Sequence, residues 1–248
     1  MNGPKKRAAR LDQLLSHCGY CSRREAASWA RHGRVLVDGL PVRDVGDRVE
    51  ASRITVDGAP VDSPDGLLVM LHKPVGVVCS RDEREGPSIY GLLPERWSRR
   101  NPPVTSVGRL DKDTSGLLLV TDVGEWVHHW TSPRHHVEKL YEATLDREAD
   151  TAWIELFAAG TLVLDGEEKP CLPAGLELVA PREVRLRLTE GRFHQVRRMF
   201  EAVGARVLRL HRPRFGPCEL GDLAVGGWRF VEVKEVDGDG LPKSGGVP

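Results

Sequence analysis

The chain has 248 residues, 36 of them basic and 36 acidic, so it carries no net formal charge, and 40% of it is hydrophobic and 6% aromatic. That length can bury a full core in one or two domains. The longest apolar run, Leu67 to Leu71, is far too short to cross a bilayer, and the basic stretch Lys5-Lys6-Arg7 lacks the apolar segment of a signal peptide. A cytoplasmic protein with no membrane partner is expected. The five cysteines are odd in number and scattered, which favours reduced thiols over disulfides.

The balanced total hides segregated charge. Residues 1–34 hold eight basic side chains against two acidic, and residues 192–214 hold seven against one. Two arginine-rich segments are either docking places for a polyanion or solvated basic faces.

In chain order, Leu11, Leu14, Leu15 and Cys18 recur at helical spacing, with Gly19 placed to end the helix. Ser22-Arg23-Arg24-Glu25 reads as a capping box opening a second helix, which Gly33 closes. Val35-Leu36-Val37 followed by Asp38-Gly39 reads as a strand and tight turn, and Ile54 to Gly58 repeats the pattern. These elements predict a compact first domain over residues 1–63. Pro60 to Gly66, polar with two prolines and a glycine, has the composition of a linker.

A larger domain is expected over residues 64–236. Its predicted strands are Leu67–Leu71, Leu117–Thr121, Lys139–Leu145, Val184–Leu188, Val207–Leu210 and Trp228–Val231. Helices are predicted at Glu125–Trp130, Asp150–Ala159 and Phe193–Val203. Few strands are separated by the helical crossovers of a parallel sheet, so an α+β fold with a mainly antiparallel sheet follows. Residues 237–248, rich in Gly, Asp and Pro, are expected to be a disordered tail.

The densest chemistry lies in Val107-Gly108-Arg109-Leu110-Asp111-Lys112-Asp113-Thr114-Ser115-Gly116, a polar loop running into the apolar Leu117–Val120. Loops braced by a rigid strand are where catalytic groups are displayed. Asp111 could equally be a turn aspartate bonding nearby amides. Calcium is disfavoured: Asp111, Asp113, Ser115, Gly116 and Asp122 have EF-hand-like spacing, but a strand and prolines replace the flanking helices.

A second motif, Glu190-Gly191-Arg192-Phe193-His194-Gln195-Val196-Arg197-Arg198, leads a strand end into a helix carrying a histidine, a glutamine and two arginines. Arg197 could keep a buried carboxylate ionised, or both arginines could touch phosphates. Tyr141, in the alternating stretch His136 to Leu145, is a core tyrosine or a platform for an unstacked base. Leu71-His72-Lys73-Pro74-Val75-Gly76 is a strand breaking at a turn and is weak alone. Cys18-Gly19-Tyr20-Cys21 has metal spacing without a second ligand pair, so no metal is expected. Neither a Walker loop nor a dinucleotide fingerprint is present, and no cofactor is expected.

Together, these four segments in this order resemble the pseudouridine synthases, in the branch that includes the small-subunit ribosomal RNA enzyme and its large-subunit relatives. Ser22-Arg23-Arg24 and Gly33 to Gly39 resemble an S4-type RNA-binding domain. The likeness runs from about Leu11 to Val231. It implies a small S4-like domain followed by a pseudouridine synthase catalytic domain, with ribosomal RNA or a subunit assembly intermediate as partner and a monomeric enzyme. By the same resemblance Asp111 is the catalytic aspartate, Tyr141 packs against the target base, and Arg197 is the ion-pair partner of Asp111. RNA-binding roles are expected for Arg23, Arg24, Arg34, Lys73, Arg109, His194, Gln195 and Arg198. Ser132 to His136, Lys169 to Ala174 and Leu210-His211-Arg212 look like the small-subunit (16S) enzyme, whereas Phe215 to Leu220 leans toward the large-subunit relatives. The main rival is a non-catalytic, ribosome-associated RNA-binding protein.

Overall fold

The computed structural model describes residues 8–231; the tail expected at 237–248 and the basic residues Lys5, Lys6 and Arg7 lie outside the described residues. The chain opens with β1 (Ala9–Arg10), α1 (Leu11–His17) and α2 (Arg23–Arg31). Five short strands follow: β2 (Val35–Val37), β3 (Leu40–Pro41), β4 (Arg48–Val49), β5 (Ile54–Val56) and β6 (Ala59–Pro60). Four of them form a sheet in the order β3-β2-β5-β6, while β1 pairs with β4.

Local chemistry explains these elements. The apolar stripe of α1 is fully committed to a small core, where Leu11, Leu14, Leu15 and Cys18 pack on Ala26, Val35, Ile54 and Val56. At the start of α2 the Ser22 N–H and hydroxyl both donate to the Glu25 carboxylate (2.8 and 2.6 Å), and the Glu25 N–H donates back to Ser22 Oγ. Asp38-Gly39 and Asp57-Gly58 all have positive φ, the backbone that two-residue hairpin turns demand.

The larger unit is one nine-stranded sheet. Its strands are β7 (Leu68–Lys73), β8 (Thr105–Ser106), β9 (Thr114–Thr121), β10 (Lys139–Leu145), β11 (Gly175–Ala180), β12 (Glu183–Leu188), β13 (Val207–Phe215), β14 (Cys218–Glu219) and β15 (Trp228–Phe230). The main path runs β11-β12-β10-β13-β9-β7-β15, with β8 on β9 and β14 on β13. Every pairing is antiparallel except β9 with β13, in agreement with the mainly antiparallel α+β fold expected. Helices α3 (Gly124–Thr131), α4 (Ala152–Ala158) and α5 (Gln195–Ala202) cover the sheet. Trp126 and Trp130 of α3 pack on Phe215, and Phe157 of α4 packs on Phe200 of α5. No helix among the described residues is long and apolar enough to cross a membrane.

Two departures from expectation shape the site. Strand β13 continues past Leu210 to Phe215, and its register with β10 slips between Leu140↔Arg214 and Glu142↔His211. Pro213 falls inside this irregularity, where a missing N–H is tolerated. The parallel β9–β13 contact is so close that a Cβ on Gly116 would stand 2.3 Å from the Arg212 carbonyl oxygen, and Gly116 also has φ +117°. Only glycine fits there.

The segment between the units is clamped rather than loose. Asp62 is buried and receives Arg96 through Nε and Nη2 (2.9 and 3.0 Å) and the Trp97 indole N–H (2.8 Å), while its own N–H donates to the Tyr20 hydroxyl. Close by, the fully buried Arg100 guanidinium donates to Asp122 (2.7 Å) and to the Ser63 carbonyl, and Asp122 accepts the Leu67 N–H at 2.7 Å. Removing one partner of such a pair strands the other charge. Asp122→Ala is therefore expected to cost about 3–5 kcal/mol, measured as the shift in urea unfolding free energy.

Candidate active site

The acid loop is fixed from beneath before any ligand arrives. Leu110 is buried, so Asp111 directly after it is carried to the surface of a cleft. The Thr114 N–H donates to the Asp111 carbonyl (3.1 Å), closing a turn at the mouth of β9. Lys73, at the end of β7, is wholly buried and donates its ammonium to the carbonyls of Thr114 (2.8 Å), Pro74 (3.0 Å) and Lys112 (3.5 Å). The Gly76 N–H adds a bond to the Lys112 carbonyl at 2.7 Å. Burial pushes the Lys73 pKa below that of an ordinary lysine. The motif Lys73-Pro74-Val75-Gly76 thus acts as a cradle for the backbone that directly follows Asp111.

The cleft has a volume of about 670 Å³ and is walled by several parts of the chain, the end of β13 with Arg212 and Phe215 among them. Asp111 and Arg109 come from the β9 loop, Tyr141 and Lys139 from β10, and Phe193, His194 and Arg197 from the approach to α5. Lys139 and Tyr141 are two residues apart on one strand and so share a face. The Tyr141 hydroxyl meets Arg212 Nη1 at 3.4 Å. His194 has a left-handed backbone (φ 50°) that turns its ring toward the acid, with Nε2 3.4 Å from Asp111 Oδ1. Phe193 stacks on that ring at 3.8 Å and is 76% exposed at the cleft, an aromatic surface left open.

The expected ion pair between Arg197 and Asp111 is not formed. Arg197 closes instead on Asp113 (2.8 Å), with further bonds to the Val207 and Asp113 carbonyls. Asp113 lies further along the same turn and reaches outward to the first turn of α5, which leaves His194 as the neighbour of Asp111. Arg197 therefore anchors the acid loop to the helix.

Several residues expected to grip RNA are structural. Lys73 is inaccessible, as above. Gln195 is buried, accepting the Arg192 N–H and donating to Glu190 at 2.6 Å. Arg198 is held by Glu167 and the Asp165 carbonyl, both at 2.6 Å. The basic segment 192–214 is in fact largely neutralised inside the fold: Arg192 pairs with Glu167 and Glu190, Arg206 with Asp146, Arg214 with Glu138. In the first unit, Arg23 is tied to Asp12, and Arg34 makes a bidentate pair with Asp57 while stacking on Trp29. Arg24, Arg31 and Arg109 are exposed and make no ion pair among the described residues.

Sequence reasoning passed over Lys139, Phe193 and Arg212. Arg212 was given no role beyond the basic run and the Leu210-His211-Arg212 likeness, yet it is 2% exposed, donates to the Leu117 carbonyl at 2.9 Å, and leaves Nη2 unpartnered. Lys139 has its pKa lowered to about 8, by burial first and then by Arg212.

The cleft brings a carboxylate, two aromatic rings and several cations together, the groups used by enzymes that act on an extruded nucleotide. Comparison with known proteins agrees. Residues 67–202 match the RNA pseudouridylate synthase family, and residues 9–53 match the S4 domain. The ribosomal small subunit pseudouridine synthase A of Escherichia coli K12 is 41% identical over 232 residues, covering 92% of this chain and 98% of that protein. The protein of the same description from Yersinia pestis is 40% identical over 236 residues, covering 94% and 99%. A crystal structure of a pseudouridylate synthase superposes with a TM-score of 0.64 at 35% identity, covering 92% of this chain and 98% of that one. The chain belongs to the RNA pseudouridylate synthase family and is a pseudouridine synthase with an S4 domain.

The cradle makes a distinction that binding and stability assays can draw. Lys73→Met leaves two well-made carbonyl bonds without a donor, at about 1–3 kcal/mol each. It should lower the urea midpoint and the turnover number while the salt dependence of RNA binding stays unchanged; a shallower salt slope would show that Lys73 reaches phosphate after all.

Proposed function

We propose that the protein isomerises one specific uridine of small-subunit ribosomal RNA to pseudouridine, with Asp111 as the catalytic group. The observation that carries this reading is the placement of Asp111: a carboxylate on a backbone braced by Lys73, lining the same cleft as Tyr141. The small-subunit assignment is supported by the relatives at 40–41% identity, both named for that subunit and both matched over nearly their whole length. Residues 1–63 would form the RNA-binding domain and residues 64–236 the catalytic domain, working in the cytoplasm where ribosomal subunits are assembled.

The reaction breaks the bond between C1′ and N1, turns the uracil, and joins C5 to the same sugar carbon. Asp111 acts either as nucleophile at C1′ or as the base that starts an elimination at C2′. Tyr141 confines the loose ring. Arg197 and His194 hold the loop and the carboxylate in register, and Arg109 at the rim meets the displaced backbone. Extruding the nucleotide costs a few kcal/mol, which contacts to flanking phosphates offset. The enclosed cleft opposes the non-catalytic alternative, since a protein that only grips RNA has no use for an acid loop braced to this degree.

Asp111→Asn should bind transcribed 16S RNA with unchanged affinity and yield no pseudouridine in carbodiimide-mapped reverse transcription. Conversion by the variant at the wild-type rate would overturn the role of Asp111. Modification of 23S RNA in place of 16S by the wild-type protein would move the substrate to the large subunit. Replacing Arg24 and Arg31 together by Ala should weaken RNA binding and reduce the slope of log K against log salt by about two; an unaltered slope would mean that this helix face does not touch phosphate.

A further inference from the structure

Two cations at the cleft have no counter-ion among the described residues. Lys139 makes one hydrogen bond, to the Val137 carbonyl at 2.8 Å, and no ion pair. Arg212 is buried, bonds to the Leu117 carbonyl and the Tyr141 hydroxyl, and has no carboxylate partner and an idle Nη2. Both lie on the Phe215 ring, with Lys139 Nζ 5.2 Å and the Arg212 Cζ 4.8 Å from its centroid. Glu190, the acid whose charge reaches Lys139, is already consumed by Arg192 Nε (3.1 Å), the Leu172 N–H (2.9 Å) and Gln195 Nε2 (2.6 Å). Elsewhere the fold is careful to neutralise its arginines, as the pairs with Glu167, Glu190, Asp146 and Glu138 show. Two adjacent, uncompensated cations in a partly dry cleft are costly to keep unless an anion comes and goes there.

We infer that Lys139, with Arg212 beside it, holds the negative charge that develops on the uracil ring as it leaves the sugar. This rests on the proposed pseudouridine chemistry, and the charge arises by either route open to Asp111. When the C1′–N1 bond breaks, its electron pair stays on the uracil, spread over N1 and the flanking carbonyl oxygens. The sugar carbon becomes bonded to Asp111, or C2′ gives its proton to Asp111 as a double bond forms. The ring then turns and C5 bonds to C1′ as the Asp111–C1′ bond breaks, or as the double bond is lost with Asp111 returning the proton to C2′; the C5 proton is released and N1 takes one up, with no outside reactant. A cation in place before bond breaking favours the charged ring over the neutral nucleoside, which is how a preorganised charge accelerates a reaction. Lys139 shares the face of β10 with Tyr141, so the ring that Tyr141 confines lies within its field. Arg212 anchors the tyrosine hydroxyl and adds charge from behind, at a depth where screening is weak.

The test compares Lys139→Met and Lys139→Arg with the wild-type protein in single-turnover conversion of 16S transcript, with RNA affinity and urea unfolding measured on the same samples. Lys139→Met should slow conversion about 100-fold with RNA affinity and salt slope unchanged. Its urea midpoint should hold or rise, because an unpaired, half-buried cation has been removed. Lys139→Arg should recover most of the rate. The wild-type rate should fall as the pH is raised through about 8, where Lys139 gives up its proton, and the arginine variant should keep its rate there. A lower affinity with a salt slope reduced by about one would make Lys139 a phosphate contact and overturn the inference. So would an unchanged rate, or a rate lost in step with a lowered midpoint. Failure of the wild-type protein to convert uridine in any ribosomal RNA would instead overturn the function on which the inference rests.

Discussion

An ammonium group with no carboxylate to pair with carries the architecture of this site. Lys73 spends its charge on the carbonyl oxygens of Pro74, Lys112 and Thr114, and the last two belong to the loop that presents Asp111. The arrangement is strict because a buried ammonium must be surrounded by acceptors, and the acceptors available are backbone groups whose positions it then fixes. Its location follows from the sheet: β7 pairs with β9 through Lys73↔Gly116, so the lysine is delivered directly beneath the start of β9. On the other side of β9, Gly116 lets β13 approach to within reach of a shared ladder. One loop is thereby held by three adjacent strands, and Asp111 needs no ligand to find its place.

The same economy of charge governs the arginines. Most of those that looked available for RNA are committed to carboxylates or carbonyls of the protein, where they tie the turn at 165–170, the loop before α5 and the β10–β13 edge into one frame. On the proposed function, phosphate binding would fall to a smaller set of exposed cations, among them Arg24, Arg31 and Arg109. A few free charges on a neutral frame favour a modest, salt-sensitive grip over indiscriminate adhesion to nucleic acid.

Much of the fold was legible because local rules agreed with one another. The α1 stripe, the capping box of Ser22 and Glu25 and the two Asp-Gly turns each follow from a few neighbouring residues, and each is found as written. The parallel β9–β13 contact and the continuation of β13 past Pro213 depend on partners some tens of residues away, which no short-range periodicity encodes. The site divides in the same way. Asp111, Tyr141 and Arg197 converge on one cleft as the motifs suggested, but the Arg197 pairing is with Asp113. Lys73, Gln195 and Arg198 were taken for surface groups because charge and polarity in a sequence default to solvent. Their burial is created by carbonyls and acids brought in by tertiary structure. Asp122, which local spacing offered only as the last position of a calcium-like loop, is instead the buried partner of Arg100.

The clamp between the two units completes the argument about specificity. Asp62 gathers Arg96, Trp97 and Tyr20 onto one short connecting segment, the Asn101 N–H bonds the His17 carbonyl at 3.0 Å, and a Cβ on Gly19 would stand 2.1 Å from the Arg96 carbonyl oxygen. These contacts leave no slack of the kind a Pro- and Gly-rich linker would otherwise allow. With the joint fixed, the exposed cations of α2 and the Asp111 cleft stand at a set separation. On the proposed function, phosphates bound by one would determine which nucleotide is offered to the other. Shape and spacing of the RNA would then select the uridine, leaving the cleft to recognise a uracil ring.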